Sequence, residues 1–153
     1  MSRIVVIGVG NAFRGDDAAG REVARRVRER VPGEIDVVVC ELEPTRLIDA
    51  WDDAESAVVV DAVSSGAEPG TVHRFDASTD TLPSREFRSS THAFSIADAL
   101  ELGRALGRAP QRVVVLGLEG ASFGLGDPLT PAVEAAIPRV VEQALAELGE
   151  DAS

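Results

Sequence analysis

The amino-acid sequence predicts one α/β domain spanning residues 1–153, built as a three-layer αβα sandwich. Short runs of β-branched residues alternate with amphipathic helical patterns, which is typical of a mostly parallel sheet with helices on both faces. No repeat, low-complexity tract or linker divides the chain, and its length suits one domain. We therefore expect a mostly parallel, twisted, five-stranded sheet.

Five segments have the composition of strands. Residues 71–76 alternate apolar and polar side chains, which indicates a hairpin-like strand at the edge of the sheet. The other four are short, continuous apolar runs, as expected for strands buried on both faces. They lie at 3–9, 34–42, 56–63 and 111–119.

Helical periodicity fills the intervals between the strands. The helix predicted at 16–31 places Val23, Val27 and Val31 on one face and arginines on the other, with Asp16 as its natural N-cap. Further helices are predicted at 44–53, 94–107 and 130–149.

The last of these helices carries its own start signal and an internal proline. Thr130 is the expected cap, and Pro131 occupies the first helical position, where proline is well tolerated. Pro138 lies within the pattern and predicts a kink or a break, because proline removes a backbone donor.

Composition excludes several classes of protein. The net charge of −11 disfavours docking on phosphate backbones, so nucleic acid is not an expected partner. No apolar run is long enough to span a membrane, and the N-terminus does not have the pattern of a signal peptide. The single Cys40 cannot form an internal disulfide, and we interpret it as a buried thiol. We expect a cytoplasmic monomer.

The loop "GVGNAFRGDD" after the first strand looks at first like a dinucleotide-binding turn. Phe13 stands where the third glycine of that motif belongs, and Asp16 and Asp17 would repel a phosphate. Glu41 could imitate the ribose-binding acid, but the phosphate cradle is missing. The loop suits a cation better, although Asp16 is also explained as a simple helix cap.

A second motif, "GASFG" at 120–124, matches the nucleophile elbow of serine hydrolases. No histidine follows Ser122 in the chain, and the next residues favour a turn rather than a helix. We therefore interpret this segment as a glycine-rich loop.

Carboxyl ends of parallel strands are where α/β proteins gather their chemistry. Asp17, Asp61 and His92 are all expected at that edge, where two carboxylates and an imidazole would make an open site for nickel or zinc. In the alternative interpretation, which stays open at this point, Asp61 caps a turn, Asp17 lies on the surface of a helix and His92 points to solvent. His73 is expected to be a half-exposed strand residue with no special role.

Four segments then carry a family resemblance: "IVVIGVGNAFRGDDAAGREV", the strand "VVVDAV", "STHAFSIADAL" and "VVVLGLEGASFGLGDPLTPAVEAAI". They are similar, from residue 3 to about residue 145, to the hydrogenase maturation proteases, the endopeptidases that trim nickel–iron hydrogenase large subunits. The resemblance implies a phosphorylase/hydrolase-like fold. It also implies removal of a C-terminal extension from the large-subunit precursor after nickel insertion.

The resemblance assigns roles to individual residues. Asp17, Asp61 and His92 match the positions that bind the nickel of the substrate, so the metal is a recognition element and no cofactor is resident. The hypothesis that follows is attack by water on a peptide carbonyl near nickel, with Asp17 or Asp16 positioning or deprotonating the water. Asn11 is a candidate donor to the developing oxyanion.

Two departures from the family pattern bear on function. Ala18 and Ala19 precede Gly20 where a glycine commonly follows the acidic pair, and "STHAFS" gives His92 apolar neighbours. Two functions therefore remain open. The first is a nickel-dependent processing endopeptidase, in which the polar segment 77–91 would be a substrate-binding flap. The second is a non-enzymatic metal-binding or accessory module on the same scaffold.

Overall fold

A computed structural model describes residues 3–41, 43–77 and 96–152, for the last three of these in backbone only. Its sheet contains the strands β1 (Arg3–Val9), β2 (Asp36–Cys40), β3 (Ala54–Val63), β4 (Val72–Asp76) and β5 (Arg112–Glu119). The spatial order is β2-β1-β3-β5-β4. The strands β1, β2, β3 and β5 are parallel, and β4 runs antiparallel to β5 at one edge. The predicted fold class is confirmed.

Within the described ranges, four α-helices complete the three layers: α1 (Ala19–Arg28), α2 (Pro44–Trp51), α3 (Ile96–Ala105) and α4 (Pro131–Ala152). The helices α1 and α4 pack on one face of the sheet, and α2 and α3 pack on the other. A single turn of 3-10 helix at Gly15–Ala18 precedes α1. In the described ranges no helix combines the length and apolarity needed to cross a membrane.

The central strands are buried on both sides, which explains their continuous runs of valine and isoleucine. Val5, Ile7 and Val9 of β1 enter the core under α2 and α3, whereas Val6 enters the opposite core under α1 and α4. Alternate residues of β3 and β5 divide between the two cores in the same way. Residues that lie side by side on neighbouring parallel strands therefore point to the same face of the sheet. This determines which side chains meet at the carboxyl ends of the strands.

Three local predictions need correction. The helix expected to begin at Asp16 begins at Ala19, and no side chain caps it, because Asp16 is bonded elsewhere. The edge strand β4 does not form a hairpin with β3, since β5 lies between them. The last helix does not break at Pro138, which is exposed on the outer face of a helix that continues past it.

The remaining boundaries agree within a few residues. The strand expected at 34–42 is shorter, at Asp36–Cys40, and α4 extends slightly beyond the predicted 130–149. The carbonyl of Thr130 accepts the first helical bond of α4 from Glu134 N, as a residue at the cap position does. Its hydroxyl, however, donates to Asp16.

Candidate active site

The strand order reverses between β1 and β3, which makes their carboxyl ends the topological switch point of the sheet. The loop after β1 carries Asn11, Asp16 and Asp17 to this point. Asp61 reaches the same point from β3, in which it lies two residues before the end. The sequence-predicted carboxylates therefore meet at the edge where ligands bind in open α/β sheets.

Two glycines allow the loop after β1 and the start of α1 to approach the strands closely. Gly10 has a φ of 144°, and a Cβ there would lie 1.9 Å from the carbonyl oxygen of Asp17. A Cβ on Gly20 would lie 2.4 Å from the carbonyl oxygen of Val60 and 2.5 Å from that of Val9. Gly20 thus provides the close packing of helix on strand that a third glycine provides in a dinucleotide turn.

Asp17 is fully buried at the base of this loop. Its Oδ2 accepts a hydrogen bond of 2.9 Å from the backbone N–H of Asn11, which closes the loop on itself. The side-chain Oδ1 of Asn11 accepts in turn from the N–H of Phe13, at 2.9 Å. The chain therefore wraps around the Asp17 carboxylate instead of leaving it in solvent.

Asp61 is the least satisfied polar side chain of the site. It is 2% exposed, and among the described residues its Oδ1 has no hydrogen-bond partner. Burial raises the pKa of Asp61 well above its ordinary value, and the nearby negative charge of Asp17 raises it further. A positively charged partner would offset both the desolvation and the repulsion.

The third residue of the predicted metal site, His92, lies outside the described residues, as does the segment 78–91 of the predicted flap. In the ranges that are described, no three histidine, cysteine, aspartate or glutamate side chains are grouped to hold a metal ion. The structure thus brings Asp17 and Asp61 together, and the place of His92 beside them stays a prediction.

Asp16 faces away from this pair and binds the loop after β5. Its Oδ2 accepts from the N–H groups of Ala121 and Ser122, at 2.8 and 3.1 Å. Its Oδ1 accepts from the N–H of Thr130 at 2.7 Å, and the Thr130 hydroxyl lies 2.8 Å from Oδ2. This fully buried carboxylate therefore fixes the loop after β5 against the loop after β1.

The segment 120–124 is a loop without the geometry of a nucleophile elbow. No helix follows it until α4, and the hydroxyl of Ser122 donates to the carboxylate of Asp127 at 2.9 Å. A nucleophile elbow turns directly into a helix and hydrogen-bonds its serine to a histidine. The interpretation as a glycine-rich loop agrees with these contacts.

Cys40 ends β2, beside Val9 in the register of the sheet. It is half-buried, and burial raises the pKa of its thiol to about 11. The thiol is therefore protonated at neutral pH, whereas a cysteine nucleophile must be a thiolate.

A buried carboxylate at the end of β5 was not anticipated. Glu119 accepts hydrogen bonds from the N–H and hydroxyl of Ser65, at 2.8 and 2.5 Å, and lies 3.1 Å from Nε2 of His73. His73 is a half-exposed strand residue, as expected, and it has a specific partner in Glu119. The sequence does indicate this contact, because Glu119 is a single acid at the end of an otherwise apolar strand. A carboxylate in that position is expected to be buried and to have a hydrogen-bond partner.

Known proteins resemble this chain in both sequence and fold. The family model described as hydrogenase maturation protease matches residues 19–147. The hydrogenase 2 maturation protease of Escherichia coli is 30% identical over 152 residues, which cover 97% of this chain and 92% of that protein.

Solved structures agree with the family match. The E. coli hydrogenase maturating endopeptidase HybD superposes with a TM-score of 0.81 at 27% identity, covering 97% of this chain and 93% of that one. The [NiFe] hydrogenase maturation protease HybD of Thermococcus kodakarensis has a TM-score of 0.75 at 28% identity, with 94% and 97% coverage. The chain with the buried Asp17–Asp61 pair therefore belongs to the hydrogenase maturation proteases and is a peptidase.

Proposed function

We propose that this peptidase removes the C-terminal extension of a nickel–iron hydrogenase large-subunit precursor and recognises the precursor by its nickel. The observation that carries the proposal is the buried Oδ1 of Asp61, which has no hydrogen-bond partner among the described residues and lies near a second buried carboxylate. Family membership supplies the reaction class, since the matched relatives are named as hydrogenase maturation proteases.

A cation explains this arrangement better than water or a neutral ligand does. Two buried carboxylates repel each other and are poorly solvated, so their ionised forms are stabilised when a positive charge lies between them. Carboxylate oxygens with the imidazole of His92 would form a ligand set suited to a borderline divalent ion such as nickel. The nickel belongs to the precursor and is part of the substrate.

Residues of the loop after β1 have different roles in the proposed hydrolysis. Asp17 positions a water molecule and accepts its proton as the water oxygen bonds to the scissile carbonyl carbon. The carbon–nitrogen bond then breaks, and the proton passes to the leaving amine. Asp17, Asp61 and His92 would hold the precursor's nickel, which would keep the scissile peptide near the site and polarise its carbonyl. Asp16 supports the loop, because both of its oxygens accept structural hydrogen bonds.

In this proposal Asn11 stabilises the tetrahedral intermediate. Its Oδ1 accepts from Phe13 N, which orients the amide and leaves the Nδ2 group as the donor. A donor held in advance by the backbone stabilises a developing oxyanion without reorganisation.

A protein substrate fits the surroundings of the site. Phe13 and Leu125 are 73% and 72% exposed, and they project from the two loops that flank the carboxylates. The N–H of Gly126 donates to the carbonyl of Phe13 at 2.7 Å, so the two loops hold these apolar side chains on one connected surface. Exposed apolar groups beside a site are typical of protein contacts.

Mass spectrometry of a nickel-loaded precursor incubated with the purified protein tests the proposal. We expect loss of the C-terminal extension with the wild type and no loss with Asp17→Asn. Glu55→Gln is the matched control, because Glu55 is an exposed acid elsewhere on β3. A precursor that binds but stays full length would instead favour the accessory-module function.

The nickel contact can be tested without a precursor, because the chain has only two histidines. Titration with Ni²⁺ should broaden or shift the NMR signals of the His92 ring while those of His73, paired with Glu119, change less. Asp61→Asn should abolish the effect on His92. Equal responses of the two rings would remove the support for this ligand set.

A further inference from the structure

A groove of about 360 Å³ runs between α1 and the edge strand β2, on the outer side of the loop after β1. Its apolar lining consists of Ala12, Ala18, Val39 and Leu129. Val39 is one of few large apolar residues that are exposed in the described part of the chain. We call this feature the α1–β2 groove. Arg21, Glu22, Arg25 and Arg28 of α1 line the rest of it. The carboxylate of Glu22 is already paired with Arg25 and Arg26.

Two of these arginines have no acidic partner in the described part of the protein. Arg21 donates to the carbonyl of Gly10 at 3.0 Å, and Arg28 donates to the carbonyl of Val37 at 2.7 Å. Arg25 differs, because it forms ion pairs with Glu22 and Glu29. The groove therefore presents uncompensated positive charge on a protein whose net charge is −11.

The groove is continuous with the proposed site. Ala12 and Ala18 directly follow Asn11 and Asp17 in the chain, and both line the groove. Arg21 bonds to Gly10, the residue that begins the loop. A segment bound in the groove would thus lie against the backbone that holds the proposed active-site residues.

We propose that the α1–β2 groove binds an acidic segment of the protein substrate, with carboxylates on Arg21 and Arg28 and apolar side chains over Val39. Charge complementarity carries this choice, because guanidinium groups without an acidic partner attract carboxylates and form charge-assisted hydrogen bonds with them. The inference rests on the proposed function for the identity of the substrate, and it adds where that substrate is held.

Fluorescence anisotropy with a labelled peptide of alternating glutamate and leucine tests the groove directly. We expect this peptide to bind about tenfold more tightly than its glutamine counterpart, and binding to weaken as salt is raised. Arg28→Gln should weaken the acidic peptide roughly three- to fivefold, because an exposed charge contact is lost. The control Arg30→Gln, just after the same helix and outside the groove lining, should change binding less than about twofold.

Equal binding of the two peptides, or an equal loss in Arg30→Gln and Arg28→Gln, would overturn the inference. Precursor trimming separates it from the proposed function. If the wild type trims the precursor and Arg28→Gln leaves KM unchanged, the groove assignment is wrong and the proposed function stands. If peptide binding follows the charge as expected but no precursor is trimmed, the groove assignment stands and the proposed function fails.

Discussion

Asp16 and Asp17 are adjacent and both fully buried, but their side chains contact different parts of the protein. Both oxygens of Asp16 accept bonds from the loop after β5, whereas Oδ2 of Asp17 accepts from Asn11 within its own loop. Asp16→Asn should therefore destabilise the fold by about 2–4 kcal/mol, because its amide N–H₂ would face backbone donors. Urea denaturation measures this loss. A stability equal to that of the wild type would refute the supporting role of Asp16.

For Asp61→Asn we predict the opposite effect on the stability of the fold. The pKa of Asp61 is raised in the folded state, so the folded protein binds this proton more tightly than the unfolded chain does. Its contribution to folding is therefore greatest below about pH 4 and is lost as the pH rises through the raised pKa. Asp61→Asn should stabilise the metal-free protein by at least about 1 kcal/mol at neutral pH while abolishing precursor trimming.

Denaturation of the wild type and Asp61→Asn across a pH series checks this sign. The advantage of the variant should grow from pH 4 upward. If the stability advantage of Asp61→Asn shrinks as the pH rises, the ionised Asp61 carboxylate does not destabilise the fold and this prediction is wrong.

At the residue scale, sequence reasoning located Asp61 and Asp17 at one edge, because the ends of parallel strands meet there. It could not assign Asp16, whose partners lie more than 100 residues later in the chain, at Ala121 and Thr130. A cap and a cross-loop acceptor look alike in sequence, since both are aspartates near a helix start. Glu119 was overlooked for a similar reason, because its partner His73 is on another strand.

At the element scale, the position of α1 over the switch point depends on Gly20. A Cβ at this position would collide with the carbonyls of Val9 and Val60, so Gly20→Ala should move the helix and cost about 3 kcal/mol. Gly149→Ala is the matched control, because nothing lies near a Cβ there and the residue is within α4. It should leave stability unchanged or raise it by up to about 1 kcal/mol. Thermal unfolding of both variants separates these outcomes.

The elements themselves were largely predictable, because buried parallel strands consist of continuous apolar runs. The pairing of β4 was not, since an alternating pattern identifies an edge strand without naming its neighbour. The helix α4 continues through Pro138 because that residue is on the exposed face, where the surrounding helix tolerates one missing donor.

At the scale of the whole molecule, Glu147 joins α4 to both strands beyond the switch point. This buried carboxylate pairs with Arg74 of β4 and, at 2.6 Å, with Arg112 of β5. The hydrogen bond from Arg74 is the main cause that lowers the pKa of Glu147, so its contribution to stability is present at neutral pH and is lost in acid. Glu147→Gln should therefore cost about 1–2 kcal/mol at pH 7, less than a fully buried pair because both arginines keep contact with solvent.

Chemical denaturation at pH 7 and near pH 3 tests this cross-link. The difference between the wild type and Glu147→Gln should shrink in acid, as the wild-type carboxylate becomes protonated. A constant difference would show that packing, and not charge, accounts for the loss.

In the proposed function, the buried carboxylates at the switch point recognise nickel carried by a protein substrate. The most direct measurement compares trimming of a nickel-loaded and a nickel-free large-subunit precursor by the wild-type protein, followed by mass spectrometry. We expect trimming of the loaded precursor only. Trimming of both precursors at the same rate would contradict it.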